Sequence, residues 1–114
     1  MKDSLLKKKC IPCEKKGIKP FDKAEAEDYL AQADGWILDE KIEKISKEYK
    51  FADFIGAVNF INLIADIAEE EGHHPDIFLH DYNKVAVTLS THSIGGLTEN
   101  DFILAAKIDA HSMK

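Results

Sequence analysis

At 114 residues, 45% hydrophobic and 32% charged, the chain fits one soluble domain with a core of its own and leaves no room for a disordered or fibrous reading. Its formal net charge of -6 argues against nucleic-acid binding by a broad basic surface, since phosphate contacts need clustered Lys and Arg. No apolar run approaches the roughly 20 residues of a membrane helix, because Asn59, Asn62 and Asp66 interrupt the longest one.

Residues 1–20 read as an extended or flexible leader to a single domain spanning 1–114. Lys7-Lys8-Lys9 and Lys15-Lys16 make a solvated tail, and the apolar run of a signal peptide is missing, so the expected location is the cytoplasm. Cys10 and Cys13 form a Cys-x-x-Cys pair. No second cysteine pair exists to complete a zinc site, and the Lys/Gly/Pro-rich surroundings do not suit a thioredoxin-type motif; both are expected to be reduced thiols without chemistry.

Asp22 and Glu25, three residues apart, form a capping-box pair that starts a first helix, with Tyr29, Leu30 and Ala33 facing inward and Gly35 ending it. Trp36-Ile37-Leu38 opens a strand. Ile45, Lys47, Tyr49 and Phe51 then alternate with Ser46, Glu48 and Lys50, a second strand with one wet face, and the charged turn at 39–44 makes the two a hairpin. From Ala52 to Glu71 the period becomes helical. Phe54, Val58, Ile61, Ala65 and Ala68 form one stripe, which Phe60, Leu63, Ile64 and Ile67 widen. Such a surface exceeds what one sheet covers, so either the first and third helices or a second subunit must pack on the remainder.

Gly72 and Pro75 stop that helix, Ile77-Phe78-Leu79 makes a short strand, and Tyr82-Asn83-Lys84 a turn. In the next strand Val85, Val87 and Leu89 point one way, Ala86, Thr88, Ser90 and His92 the other. Ile94-Gly95-Gly96-Leu97 is a loop whose glycines permit positive φ. Thr98-x-x-Asp101 caps a last helix with Phe102, Leu104, Ala105 and Ile108 on its apolar side. The expected fold is α+β, a four-stranded antiparallel sheet with three helices packed on one face in the order αββαββα.

Charge is placed against the local rule at Glu69-Glu70-Glu71, because the C-terminal end of a helix is partially negative and favours cations. Such departures concentrate where chemistry overrides local consistency. His73, His74 and His92, with Glu69 and Asp101, are the candidates: imidazole titrates near neutrality, so one can donate a proton while another accepts one. His80 and His111 are taken as surface residues. Zinc is the competing use, but adjacent histidines usually point different ways and no HExxH spacing occurs, so no metal is expected. Asp101 has a sufficient structural role as a capping residue. From the residues alone, an active site and a set of ordinary surface histidines are both open.

Read together, Glu69-x3-His73-His74-Pro75, Tyr82 after a six-residue gap, Thr91-His92, Gly96-Leu97-Thr98 and Asp101 resemble the pterin-4a-carbinolamine dehydratase family. The similarity extends upstream through the Cys-x-x-Cys leader, Gly35-Trp36 and Phe51-Ala52-Asp53-Phe54, and downstream through Leu104-Ala105-Ala106-Lys107-Ile108-Asp109. One departure is Ile77, where animal members carry tryptophan two residues after the proline, so a stacking contact to the pterin is not carried over.

The resemblance implies a lyase that removes water from 4a-hydroxytetrahydropterin, the product of aromatic amino acid hydroxylases, with no metal or organic cofactor. It implies proton handling by His73 and His92, and pterin holding by His74. Pro75 and the backbone from Thr91 through His92 to Ser93 would contact the substrate, and Glu69 and Asp101 would orient imidazoles. A homodimer or homotetramer is implied as well. Two alternatives accompany it: a non-catalytic dimerisation partner of a transcription factor, and a binder of another pterin such as one linked to molybdenum cofactor.

Overall fold

The computed structural model describes residues 19–112. The expectation for Cys10 and Cys13 therefore lies outside the described residues. The elements follow as α1 (Lys23–Leu30), β1 (Ile37–Leu38), β2 (Ile45–Lys50), α2 (Phe54–Glu71), β3 (Asp76–His80), β4 (Lys84–Leu89) and α3 (Glu99–Ser112). All strand pairs are antiparallel and the sheet order is β1-β2-β4-β3, the α+β arrangement expected. Among the described residues, no helix is long and apolar enough to cross a membrane.

The local signals at the element starts operate as written in the sequence. The Asp22 carboxylate accepts from the Glu25 N–H at 2.9 Å while the Glu25 carboxylate accepts from the Asp22 N–H at 3.1 Å, so both donors at the first turn of α1 are satisfied. At the β1–β2 turn the Asp39 carboxylate accepts from the N–H groups of Glu43 and Lys44. Alternation in β4 is strict: Val85, Val87 and Leu89 are fully buried under the helices. Phe102, Ile103, Leu104 and Ile108 of α3 meet them in the same core, each contributing roughly 2 kcal/mol of burial. Trp36 is core, as expected, and its indole N–H donates to Asp109.

Two expectations are corrected. Helix α1 ends at Leu30 rather than at Gly35, because the chain tightens into i→i-3 bonds, Gln32 N–H to the Tyr29 carbonyl and Ala33 N–H to the Leu30 carbonyl. Gly35, at φ 83, instead takes the left-handed turn that leads into β1.

The inward face of α2 is also displaced. Ala57, Phe60, Ile64, Ile67 and Ala68 are buried, whereas Phe54 and Ala65 of the expected stripe face outward with Ile55 and Leu63. Asn59, Asn62, Asp66, Glu69 and Glu70 recur at helical spacing on the side opposite the buried face and are all exposed, so the polar positions mark the solvent side that counting apolar ones missed. Aromatic packing supports the same rotation: Phe60 lies 4.7 Å from Tyr49 and 4.9 Å from Phe51, ring centre to ring centre.

Candidate active site

Helix α2 delivers the first part of the site. Gly72 adopts φ 67 and its N–H and that of His73 both donate to the Ala68 carbonyl, a left-handed stop that turns the chain back across the sheet edge. His73 is thereby buried, 6% exposed, and its Nε2 lies 2.6 Å from Asp101 Oδ1. Its neighbour His74 points the other way into solvent, where Nε2 lies 2.6 Å from Glu69 Oε2. The acidic end of α2 is thus explained in part. Glu69 meets an imidazole and Glu71 meets the Lys107 ammonium at 2.6 Å, so two of the three carboxylates at the negative helix end have a cationic or donating partner.

Helix α3 and the end of β4 deliver the second part. Asp101 is fully buried and serves two purposes at once. Its Oδ2 accepts from the Thr98 N–H at 3.0 Å, the capping bond, and from the Thr91 hydroxyl at 2.9 Å, while Oδ1 is left for His73. The Thr91 hydroxyl also lies 3.0 Å from that of Thr98. A carboxylate with three donors around it is held in one rotamer, so the ring of His73 is held too.

Thr91 further bridges Gly96 across a tight loop, which places the adjacent His92 and Ser93 on the exposed side of the strand end. Gly96 is required there: a Cβ would stand 2.9 Å from the Pro20 side chain, and the Phe21 N–H donates to the Leu97 carbonyl beside it.

Of the residues singled out from the sequence, the fold joins His73, Thr91 and Asp101 in one buried hydrogen-bonded chain, pairs His74 with Glu69, and leaves His92 and Ser93 exposed one step from Thr91. Pro75 is half-buried at the start of β3, and Ile77 packs against the core. His80 is less bare than expected: its Nε2 lies 2.6 Å from Glu48 and its ring stacks on Phe78 at 4.9 Å. His111 lines a cleft of about 240 Å³ with Glu70, Glu71 and Lys107.

Residues that the sequence reading passed over as turn charges stand beside His92. A cavity of about 130 Å³ is lined by Glu43, Lys44, Ser90, His92 and Gly95. The turn that carries Glu43 and Lys44 includes Ile42 at φ 58, a left-handed conformation that costs a β-branched residue on the order of 1–3 kcal/mol. Only spacing to Asp39, whose carboxylate holds both N–H groups, hints at this in the sequence.

Among the described residues, no cluster of three or more His, Cys, Asp or Glu side chains is placed to hold a metal ion. The arrangement offers proton donors and acceptors, with the His73 imidazole against a carboxylate and the His92 imidazole exposed next to Thr91.

Residues 19–111 match the family model described as pterin 4 alpha carbinolamine dehydratase. A relative in Halorhodospira halophila that carries the pterin-4-alpha-carbinolamine dehydratase name is 48% identical, over 94% of this chain and 96% of that one. Mitochondrial pterin-4-alpha-carbinolamine dehydratase 2 of Arabidopsis thaliana is 45% identical over 90% of this chain and 56% of its own length.

Among solved structures, a Brucella melitensis protein described as a transcriptional coactivator/pterin dehydratase superposes with a TM-score of 0.75 at 39% identity, covering 81% of this chain and 97% of that one. A pterin dehydratase-like protein identified as a RuBisCO assembly factor in the alpha-carboxysome superposes at 0.57 with 26% identity, over 67% of this chain and 87% of that one. The match spans nearly all of the described residues and includes every histidine of the site, and on it the chain belongs to the pterin-4-alpha-carbinolamine dehydratase family.

Proposed function

We propose that the chain dehydrates 4a-hydroxytetrahydropterin to quinonoid dihydropterin and water by histidine acid/base catalysis. The observation that carries the reading is the buried His73–Asp101 pair joined through Thr91 to the strand end that bears His92, in a chain of this family. Hydroxide leaves poorly. In the reaction the C4a–O bond breaks as a proton is delivered to the departing oxygen, the N5 lone pair forms the new N5–C4a double bond, and the N5 proton is lost. One imidazole supplies the proton and the other removes one, so neither metal nor organic cofactor enters.

His73 and His92 take these two roles. His74, steadied by Glu69, holds the pterin together with Pro75 and the backbone from Thr91 to Ser93, and Asp101 keeps the His73 ring in one orientation and tautomer. This reading includes a homo-oligomer in the cytoplasm. The oligomer is supported by the outward apolar side chains of α2, Ile55 at 70% exposure and Phe54 at 53%.

Stopped-flow mixing with the carbinolamine tests the reading. The chain is expected to accelerate water loss above the spontaneous rate, and an unchanged rate overturns it. A second reading, a binding partner without catalysis, is favoured by the coactivator description of the Brucella melitensis relative. It predicts that unchanged rate.

A further inference from the structure

We propose that Glu71 and Lys107 are positioning residues for His73, and that their ion pair holds the end of α2 where the His73 ring meets Asp101. The effect on turnover rests on the dehydratase reading; the placement of the ring does not. Local physics opposes the pair. Glu71 is the last residue of α2, at the negative end of the helix, yet its side chain is only 2% exposed. Lys107 Nζ lies 2.6 Å from its Oε2 and is itself largely withdrawn from water. Desolvating two charges is costly, and a buried ion pair is often no more stable than a packed apolar pair of the same volume. Stability alone therefore does not account for it. What an ion pair adds is direction, because a charged hydrogen bond holds two atoms at one distance whereas apolar contacts slide.

The direction is applied at the turn that carries His73. Glu71, two residues before His73, reaches Lys107, and the His73 ring reaches Asp101, six residues earlier on α3. Segments 71–73 and 101–107 thus close a ring with a bond at each end. Packing at Gly72 does not wedge the turn between them, since a Cβ added there would meet nothing within 4 Å. The N–H groups of Gly72 and His73 both donate to the Ala68 carbonyl, so the turn moves with the last turn of α2. A second bond to α3 stops that movement.

Helix α3 is in turn anchored by bonds that do not involve α2. The Tyr29 hydroxyl donates to Glu99 at 2.9 Å near its start, and near its end Asp109 accepts from the Trp36 indole, the Lys47 ammonium and the Tyr49 hydroxyl. Lys107 stands on that fixed helix two residues from Asp109. It passes the position of α1 and the sheet on to the end of α2.

The test compares wild type with two variants. Glu71→Leu/Lys107→Met puts an apolar pair beside Ile67 and Ala110, and Glu71→Gln keeps the shape of the side chain but removes its charge. The urea midpoint of the apolar pair is expected at or above the wild-type value, so lost activity is not lost fold. Its kcat per folded molecule is expected to fall roughly 10-fold with KM changed by less than about twofold, the pattern of a displaced catalytic group rather than of lost binding. Glu71→Gln should move kcat the same way by less. An active enzyme whose kcat stays at the wild-type value in both variants overturns the proposal.

Long-range 1H–15N correlation spectra of the free protein read the His73 ring without turnover. Its Nε2 signal is expected to shift in both variants while that of His92 stays in place. An unmoved His73 signal overturns the proposal whatever the activity. If the wild type fails to accelerate dehydration yet the His73 signal shifts in the variants, the dehydratase reading falls and the placement of the ring by the ion pair stands.

Discussion

His73 Nε2 and Asp101 Oδ1 lie 2.6 Å apart in the protein interior, and the second oxygen of the same carboxylate closes the first turn of α3 on the Thr98 N–H. One side chain thus couples a helix cap to the orientation of an imidazole. Asp101→Asn is expected to lower kcat roughly 10-fold or more while leaving KM near wild type, since the amide offers only one acceptor and no charge to the ring. It should also cost about 2 kcal/mol of stability, the scale of a charged hydrogen bond. Thr91→Val separates the effects. It removes the hydroxyl bond to Oδ2 but not the contact with His73, so it should weaken folding in urea with kcat largely retained. Equal loss of kcat in both variants would show that Asp101 acts only through stability.

If His73 and His92 act as donor and acceptor in one turnover, each alanine variant loses about 10²-fold in kcat or more. Their double variant should lose less than the product, because removing one partner already disables the unit. His74→Ala should act mainly on KM, as its ring is exposed and, among the described residues, tied to the exposed Glu69 alone. Circular dichroism checks the folds. A double variant at the wild-type rate would end the assignment.

The outward face of α2 predicts the state of association. Sedimentation equilibrium should find a species larger than the monomer, and Ile55→Lys should shift it toward the monomer, since burying a charge among apolar neighbours is costly. A wild-type monomer at high micromolar concentration would show that these side chains face solvent in solution.

Tyr49 and Tyr29 predict the alkaline limit of stability. Burial, then the hydrogen bond to Asp109, pushes the Tyr49 phenol well above its ordinary value, and burial with the bond to Glu99 pushes Tyr29 up to about 12. Both are held neutral in the fold. Their contribution is complete below the unfolded phenol value near 10 and is lost as pH rises through the folded values. Urea midpoints should therefore be insensitive to these groups at neutral pH and fall above pH ~10. Tyr49→Phe should make that fall shallower, at about 1 kcal/mol of stability at neutral pH. An unaltered alkaline slope in Tyr49→Phe would show that this phenol does not contribute to it.

What the sequence determined by itself are the features that depend on neighbours within a few residues. Asp22 with Glu25 caps α1, Thr98 with Asp101 starts α3, and the alternation of Val85, Val87 and Leu89 sets the buried face of β4, because backbone bonds and period are local properties. The family motif was legible for the same reason: its residues hold fixed spacings. Other features were decided, in whole or in part, in three dimensions.

The outward position of Phe54 and Ala65 goes with Phe60 packing on Tyr49 of β2 and on Phe51 just beyond it, although the solvent side of α2 was already marked by the stripe Asn59, Asn62, Asp66, Glu69 and Glu70. The partner of His73 was decided 28 positions away, at Asp101, whereas the parting of adjacent His73 and His74 to opposite environments follows the expectation for neighbours in non-helical chain. Glu43 and Lys44 came to stand beside His92 because β2 pairs with β4, with Ile45 opposite Leu89 in register, which carries the β1–β2 turn to the end of β4. Charge, capping and period act along the chain; strand pairing and ring packing act across it, and the candidate site is assembled from the second kind.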